Sequence, residues 1–435
     1  MEIKTVVLCG VIYLFLTASI YTAHNFMEPI TNEATGGSLS QFGLFDMFGI
    51  VKFFGAFFWT NLADRTKGGT IIGSICLIGY SLFFTLLGYA PDFMKARGLN
   101  LWTVLYFFCL NFFLSGCYPI AEYLFLEVLE STENIQKYYG KIRIGFPIGS
   151  IIAHGTQILL KEILGDRKDN LYNYVATGVY AAMATCMYFL LHIQIQQRDK
   201  KSNSKVKTKY TDIQINYSAI KKLFTFDIIL LMLMSILQGI PRSSVATYLT
   251  EYQKQNKVTK SKARVLLMIR LIPEVSMLYL ISYFEKFIGY KILLGIGLIL
   301  GTLRPFLLGF VDIKWFNGYD GGFWIMMEII KAVFSAFFGY SSSRCYKEKS
   351  NETNCSLAQG VASGCYNGMG AFISGFIAFF FLDSRWIYYQ GSQLRGFFLI
   401  TALLAFCGLL PYLLFIIKNR RKGKFTITDA KQNEE

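Results

Sequence analysis

The sequence predicts an all-α membrane protein of twelve transmembrane helices, and three observations support this fold class. The chain is 53% hydrophobic and only 16% charged, whereas soluble proteins carry about a quarter charged residues. Twelve apolar runs are each long enough to cross a hydrocarbon core of roughly 30 Å, which takes about 20 helical residues. A basic polar segment at 194–222 divides the runs into two sets of six. We therefore expect two six-helix bundles.

Each apolar run is predicted to be a helix, because every backbone polar group in lipid must be hydrogen-bonded within the protein. The short alternating segments typical of an outer-membrane barrel are missing from the sequence. The predicted spans are approximately 5–27, 40–60, 70–90, 100–124, 141–164, 171–193, 224–249, 263–284, 291–311, 322–343, 356–381 and 396–417. The expected organisation is an N-terminal bundle at 1–193, a cytoplasmic linker at 194–222, a C-terminal bundle at 223–417 and a cytoplasmic tail at 418–435.

The distribution of charge predicts the topology. Basic residues concentrate in the linker and in the tail, and excess Lys and Arg mark cytoplasmic segments. With an even number of spans, both termini are expected in the cytoplasm of a multi-pass protein, with the plasma membrane as its location. The net charge of +15 is therefore not interpreted as nucleic-acid binding. No phosphate-binding loop, metal-ligand spacing or nucleophile motif occurs, so we expect a protein that is not an enzyme and that binds no cofactor and no metal. We also expect it to be a monomer in the lipid bilayer.

Ionisable side chains inside the apolar runs indicate a function. A charge at the bilayer centre costs from about 3 to more than 10 kcal/mol, so such residues usually face a watery cavity or each other and mark a solute or proton path. This points to a transporter, although structural ion pairs are the alternative. The ionisable residues within or at the edge of the runs are Glu122, Arg143, Arg242, Arg270, Glu274, Arg304, Glu328 and Lys331.

The loop between the second and third runs carries the strongest motif. Residues 55–67 read GAFFWTNLADRTK, which resembles the G-x-L-A-D-R-x-G-R/K loop motif of the major facilitator superfamily. The resemblance implies the major facilitator fold and a conformational latch formed by Gly55, Asp64 and Arg65, in which the acid engages a helix end. A carboxylate is stabilised there by unpaired amides and the helix dipole. A chance surface Asp-Arg pair is the alternative.

Further segments resemble the lactose-permease-like branch of sugar and nucleoside proton symporters. The stretch 139–143 reads YGKIR, Ile272-Pro273-Glu274 is followed by Arg304, and 358–360 read AQG. The resemblance implies that Arg143 and its partner Glu122 bind solute hydroxyls, and that Glu274 and Arg304 couple protons. Arg270, one turn before Glu274, is a second candidate partner, and the alternative for each set is a structural ion pair.

Other positions depart from that branch. Lys331 stands where the branch has a histidine, Phe334 where it has a proton-carrying glutamate, and Ser150 where a tryptophan stacks on the galactosyl ring. Galactoside recognition is therefore not expected. Glu328 is a candidate partner for Lys331 or a substitute proton carrier.

Arg242 and Lys331 complete the expected substrate-binding set, since Arg242 follows Pro241, where a break in the helix would bend an inner lining. We expect a secondary transporter of a small hydroxylated solute, a sugar first and a nucleoside second. It would work by alternating access, with coupled protons or by facilitated diffusion. The alternative is a transporter-shaped receptor or scaffold that binds without moving a solute.

Overall fold

The computed structural model describes residues 2–35, 39–87, 101–130, 135–164, 171–201, 223–313, 320–351, 354–382, 388–389 and 391–421. Within these ranges the chain is helical apart from short connections and an isolated bridge between Tyr389 and Ser392. Part of the predicted linker and most of the tail lie outside the described residues.

The described part of the chain contains sixteen α-helices and one π-helical segment, Gly364–Met369. The α-helices are α1 Glu2–Thr35, α2 Leu39–Met47, α3 Gly49–Thr66, α4 Gly69–Leu87, α5 Leu101–Glu130, α6 Ile135–Arg143, α7 Gly145–Leu164, α8 Leu171–Lys201, α9 Phe226–Gln255, α10 Lys260–Ile288, α11 Tyr290–Phe310, α12 Asp320–Lys349, α13 Cys355–Ser363, α14 Gly370–Phe381, α15 Gln393–Cys407 and α16 Leu409–Arg421.

Eleven helical stretches of the described chain are long and apolar enough to cross a membrane. They correspond to eleven of the twelve predicted spans. The twelfth position is occupied by the 20-residue α7, which carries His154, Thr156 and Gln157 among its apolar residues. Two predicted spans are interrupted helices, since α2 gives way to α3 at Phe48 and the π-helical segment separates α13 from α14. The predicted all-α transmembrane fold class is confirmed.

The chain forms two compact units. Unit 1 comprises Met1–Gly36, Phe54–Leu223 and Ser350–Val361; unit 2 comprises Gly37–Phe53, Phe224–Lys349 and Ala362–Glu435. The boundaries therefore fall inside α3 and α13, so each of these helices contributes one part to each unit. In unit 1, α1 packs against α7 and α8, and α4 packs against α5 and α8.

In unit 2, α12 packs against α10 and α11, α15 packs against α11, and α9 contacts α14, α15 and the π-helical segment. An apolar core joins α9, α12 and α15 through Tyr248, Tyr252, Trp324, Phe397 and Phe398, all at most 2% exposed. The helix α9 begins at the side chain of Thr225, which accepts a hydrogen bond from Ile228 N–H. This core holds three of the helices of unit 2 in fixed relative positions, and two of them, α9 and α12, carry Arg242, Glu328 and Lys331.

Glycines allow α2 and α14 to touch backbone to backbone in unit 2. A Cβ atom at Gly375 would lie 2.5 Å from the carbonyl oxygen of Gly43 and 2.8 Å from Cβ of Asp46. Small residues permit this close approach, which supplies van der Waals contact where lipid offers no hydrophobic driving force.

Replacing Gly375 by alanine is expected to destabilise the protein by about 1–3 kcal/mol, because the added methyl group overlaps the backbone of α2. Thermal unfolding of the purified protein in detergent measures the loss. Gly155→Ala is the matched control, since a Cβ there meets no atom within 4 Å. Equal melting temperatures for the two variants would contradict the close packing of α2 on α14.

Candidate functional site

In unit 1 the predicted Glu122–Arg143 pair is formed and buried. Nη1 of Arg143 lies 2.9 Å from Oε1 of Glu122, and the two side chains are 15% and 9% exposed. The same carboxylate accepts hydrogen bonds from the hydroxyls of Tyr13, at 2.6 Å, and Tyr139. Glu122 is thus held by three donors from α1 and α6, which offsets the cost of its burial.

Tyrosine rings surround this pair. Nη1 of Arg143 also donates to the hydroxyl of Tyr139 at 3.1 Å, and its guanidinium lies 5.6 Å from the centre of the Tyr139 ring. Tyr13 packs edge-on against Phe125 and Tyr118. A guanidinium and a carboxylate beside phenol hydroxyls can bind a diol once their present bonds rearrange.

In unit 2 the four predicted proton-coupling residues lie in one network across three helices. Nη2 of Arg304 on α11 donates to Oε1 of Glu328 on α12 at 2.8 Å. Arg270 on α10 lies 3.7 Å from Oε2 of Glu274 and 3.9 Å from Oε2 of Glu328. Glu274 and Glu328 are 3% and 2% exposed. Arg270 therefore bridges two buried carboxylates.

The two carboxylates are held unequally. Glu328 has a short charge-assisted bond to Arg304 and a second cation nearby. Glu274 accepts a 2.8 Å hydrogen bond from the hydroxyl of Ser335 and meets Arg270 only at 3.7 Å. From the sequence, Lys331 was a candidate partner of Glu328. In the structure Glu328 pairs instead with Arg304 and Arg270. In the described part of the chain, Lys331 forms no ion pair within 4.0 Å.

A proline adjoins a charged residue in each of three helices. Pro241 precedes Arg242, Pro273 precedes Glu274, and Pro305 follows Arg304. Proline removes an intrahelical hydrogen bond and bends the helix, leaving a carbonyl oxygen unpaired within it. The charged side chains of α9, α10 and α11 thus sit beside weakened points in their helices.

Arg242 lies with its guanidinium 5.0 Å from the centre of the Tyr366 ring, and Tyr366 belongs to the π-helical segment. Asp46 accepts a 2.8 Å hydrogen bond from the hydroxyl of Thr247. Asp46 also interacts electrostatically with Lys52 and Arg242. Unit 2 therefore has a second group of charges, on α2, α3 and α9, in addition to the bridged carboxylates.

The predicted latch acid caps a helix inside unit 1. Both carboxylate oxygens of Asp64 accept from the N-terminus of α13, from Ser356 N–H at 3.0 Å and Leu357 N–H at 2.7 Å. Nε of Arg65 instead donates to Oδ1 of Asn61 at 2.8 Å. Gly55 packs against α5, where a Cβ would overlap the side chain of Ser115. A cap of this kind ties the end of α3 to the start of α13.

Sequence reasoning did not identify four residues that contact these sites: Tyr13, Ser335, Thr247 and Tyr366. None has a sequence signal of its own, since tyrosine and hydroxyl side chains are common in membrane helices. They become evident only because each donates to, or stacks on, a charged group contributed by another helix.

Residues 9–390 match the family described as the MFS_1 like family. The chain belongs to this family.

Solved structures with the same fold include two transporters. The nucleoside transporter NupG has a TM-score of 0.58 and 16% identity, covering 94% of this chain and 98% of that one. A point variant of the Escherichia coli fucose:proton symporter FucP has a TM-score of 0.62 and 14% identity, covering 95% and 98%. At this identity the likeness shows the fold. A search among curated proteins finds no match.

Replacing Glu328 by glutamine is expected to destabilise the protein by about 3–5 kcal/mol, because Arg304 keeps its buried charge without the carboxylate that neutralises it. Glu274→Gln should cost less, since the amide oxygen still accepts from Ser335. Thermal unfolding in detergent gives both values. The double variant Glu328→Gln with Arg304→Gln should recover part of the loss. A larger effect of Glu274→Gln than of Glu328→Gln would contradict the unequal pairing.

Asp64→Asn is expected to lower stability by about 0.5–2 kcal/mol, because one of two capping acceptors and the negative charge at the start of α13 are lost. The melting temperature measures the change. Glu251→Gln is the control, since its partner Lys254 is 77% exposed and such pairs contribute little. If the two variants melt together, Asp64 does not stabilise the helix end.

Proposed function

We propose that this protein is a secondary transporter of a small hydroxylated solute, with sugars first and nucleosides second. The observation that supports the proposal most is the buried Arg270–Glu274–Glu328–Arg304 network inside the membrane spans of unit 2. A purely structural role would be fulfilled more stably by apolar packing, since ion pairs in a low-dielectric interior rarely repay their desolvation. The charges are therefore assigned to the movement of a solute or a proton.

Transport would occur by alternating access, in which the bundles at 1–193 and 223–417 move relative to each other. Prolines beside Arg242, Glu274 and Arg304 give the helices of the second bundle points at which to bend. We assign the latch to the two hydrogen bonds that Asp64 accepts from the start of α13. Breaking these charge-assisted bonds costs an amount of free energy that a few contacts in the other transport conformation can balance. We place both termini in the cytoplasm and the protein, as a monomer, in the plasma membrane.

Solute hydroxyls would bind at Glu122 and Arg143. A guanidinium and a carboxylate together present donors and acceptors to adjacent hydroxyls, which suits a pyranose or a ribose. Because Glu122 already accepts from Tyr13 and Tyr139, a solute hydroxyl would compete with these phenol hydroxyls for the carboxylate. The two solved transporters of similar fold are named for a nucleoside and for fucose with protons, and this supports the same solute classes here.

Protons, where they are coupled, would travel through Glu274 rather than Glu328. Protonating Glu328 would leave Arg304 without its 2.8 Å partner, which is costly in a buried site. Protonating Glu274 gives up only a 3.7 Å contact with Arg270, which retains Glu328 at 3.9 Å. The bridging position of Arg270 would let it shift toward Glu328 while Glu274 carries the proton.

Uptake of labelled fucose and uridine into proteoliposomes, with and without an inward pH gradient, tests the proposal. Glu274→Gln is expected to abolish gradient-driven accumulation and to preserve exchange of internal for external solute, because only the proton step is lost. Glu251→Gln on an exposed helix end is the control. Accumulation that is unchanged in Glu274→Gln would remove this residue from coupling. Binding of solute without any flux would instead support the receptor alternative.

A further inference from the structure

Unit 2 holds more positive charge inside its membrane spans than its carboxylates neutralise. Apart from pairs near helix ends, such as Glu285 with Arg344, the described residues supply five cations and three carboxylates, an excess of two cations. The cations are Lys52, Arg242, Arg270, Arg304 and Lys331, and the carboxylates are Asp46, Glu274 and Glu328.

The three carboxylates are already engaged. Glu274 and Glu328 bind Arg270, Arg304 and Ser335, as described above. Asp46 accepts from Thr247 at 2.8 Å and lies 3.5 Å from the hydroxyl of Ser243. In the described ranges, no carboxylate oxygen lies within 4.0 Å of Lys52, Arg242 or Lys331.

These three cations also act on one another. Arg242 repels both Lys52 and Lys331 electrostatically, and Lys331 is also repelled by Arg270 and Arg304 and attracted by Glu328, which lies beyond ion-pair distance of it. Asp46 attracts Lys52 and Arg242 but does not contact either of them at ion-pair distance. The excess charge is therefore concentrated in one region shared by α3, α9 and α12, rather than distributed over separate helix ends.

All three side chains are half-buried and lie near the middle of their spans. Unpaired charges at this depth are strongly unfavourable in lipid, and residues of this kind mark a solute path. Partial hydration reduces the cost of each charge but leaves their mutual repulsion. An anion bound among the three side chains would remove both the cost of their unpaired charges and their mutual repulsion. Charge-assisted hydrogen bonds from Lys and Arg to phosphate or carboxylate are stronger than hydrogen bonds between neutral groups.

Arg242 has the donors that such a ligand needs. Its guanidinium lies over the Tyr366 ring in a cation–π contact, and a guanidinium carries five N–H donors in a planar fork. No acceptor for these groups is found among the described residues. Tyr366 lies in the π-helical segment Gly364–Met369, and π-helical turns occur frequently at functional sites. A close contact of Gly239 with the Tyr366 carbonyl fixes this segment on α9.

We propose that Lys52, Arg242 and Lys331 bind an anionic group of the solute, so that the cargo is a sugar or nucleoside that carries a phosphate monoester. This inference rests on the proposed transport of a hydroxylated solute and specifies its class. A phosphate monoester carries about −1.5 to −2 charges at neutral pH and so balances an excess of two cations, whereas a carboxylate balances one. A neutral sugar would leave the excess unbalanced.

Thermal stabilisation of the purified full-length protein tests binding without requiring transport. The probes are matched pairs, namely glucose, glucuronate and glucose 6-phosphate, and uridine with uridine 5′-monophosphate, together with inorganic phosphate alone. We expect the phosphate monoesters to raise the melting temperature most, the carboxylate to have a smaller effect, and the neutral parents to have the least. A response to inorganic phosphate equal to that of the esters would indicate an adventitious ion only and would overturn the inference.

Variants assign the effect to the cations. Lys331→Gln and Arg242→Gln are expected to weaken binding of the phosphate monoester about 10- to 100-fold, the range for a lost charge-assisted bond, and to weaken binding of the neutral parent much less. Lys331→Arg should retain most of the affinity because the charge is kept. Lys254→Gln, on the exposed end of α9, is the control and should behave as wild type. Equal losses for neutral and anionic probes would show that these residues only support the structure, and would overturn the inference.

Labelled uptake in proteoliposomes separates the two proposals. If the phosphate monoester is taken up and its uptake is reduced in Lys331→Gln, the result supports both the proposed transport and the anionic cargo. Uptake of fucose or uridine in preference to the monoesters would leave the proposed transport intact and overturn the anionic cargo. Tight binding of the monoester with no flux of any probe would support the anion site and contradict transport.

Discussion

The contact between guanidinium and carboxylate groups inside membrane spans is the interaction on which the rest of this structure depends. An ionised side chain in lipid is tolerated only when a partner or water replaces its lost hydration. Glu122 with Arg143 in unit 1, and Glu328 with Arg304 in unit 2, satisfy this requirement at 2.9 and 2.8 Å. Helix positions in each unit must therefore bring these groups together, and the surrounding tyrosines, glycines and prolines serve that arrangement.

The two units satisfy the requirement differently. In unit 1 a single carboxylate is enclosed by one guanidinium and two phenol hydroxyls, so charge and hydrogen bonding are balanced locally. In unit 2 one arginine bridges two carboxylates, while Lys52, Arg242 and Lys331 have no carboxylate at ion-pair distance in the described part of the chain. A balanced pair suits recognition of a neutral diol, whereas an unbalanced group suits recognition of an anion.

The fold could be predicted from sequence because its determinant is local. Twenty consecutive apolar residues form a membrane helix wherever they occur, so eleven of the twelve spans recur as apolar helices, and α7 fills the remaining position. The family resemblance rested on a short loop motif and on scattered helix residues, and the match over residues 9–390 agrees with it. The helix interruptions at Phe48 and at Gly364–Met369 were not predicted from the sequence. Close contacts between helices, such as that of Gly43 with Gly375, accompany them, and such contacts depend on the tertiary structure.

The sequence by itself determined which side chains are costly. Glu122, Arg143, Glu274, Arg304 and Glu328 are recognisable inside apolar runs because hydropathy is a property of each segment alone. Only the tertiary structure decided how they pair. Arg304 could have met Glu274 or Glu328, and Lys331 could have met Glu328, since helical periodicity fixes the face of a residue but not the neighbouring helix that faces it. The packing of α10, α11 and α12 selected one pairing, and it left Lys331 without a carboxylate at ion-pair distance in the described part of the chain.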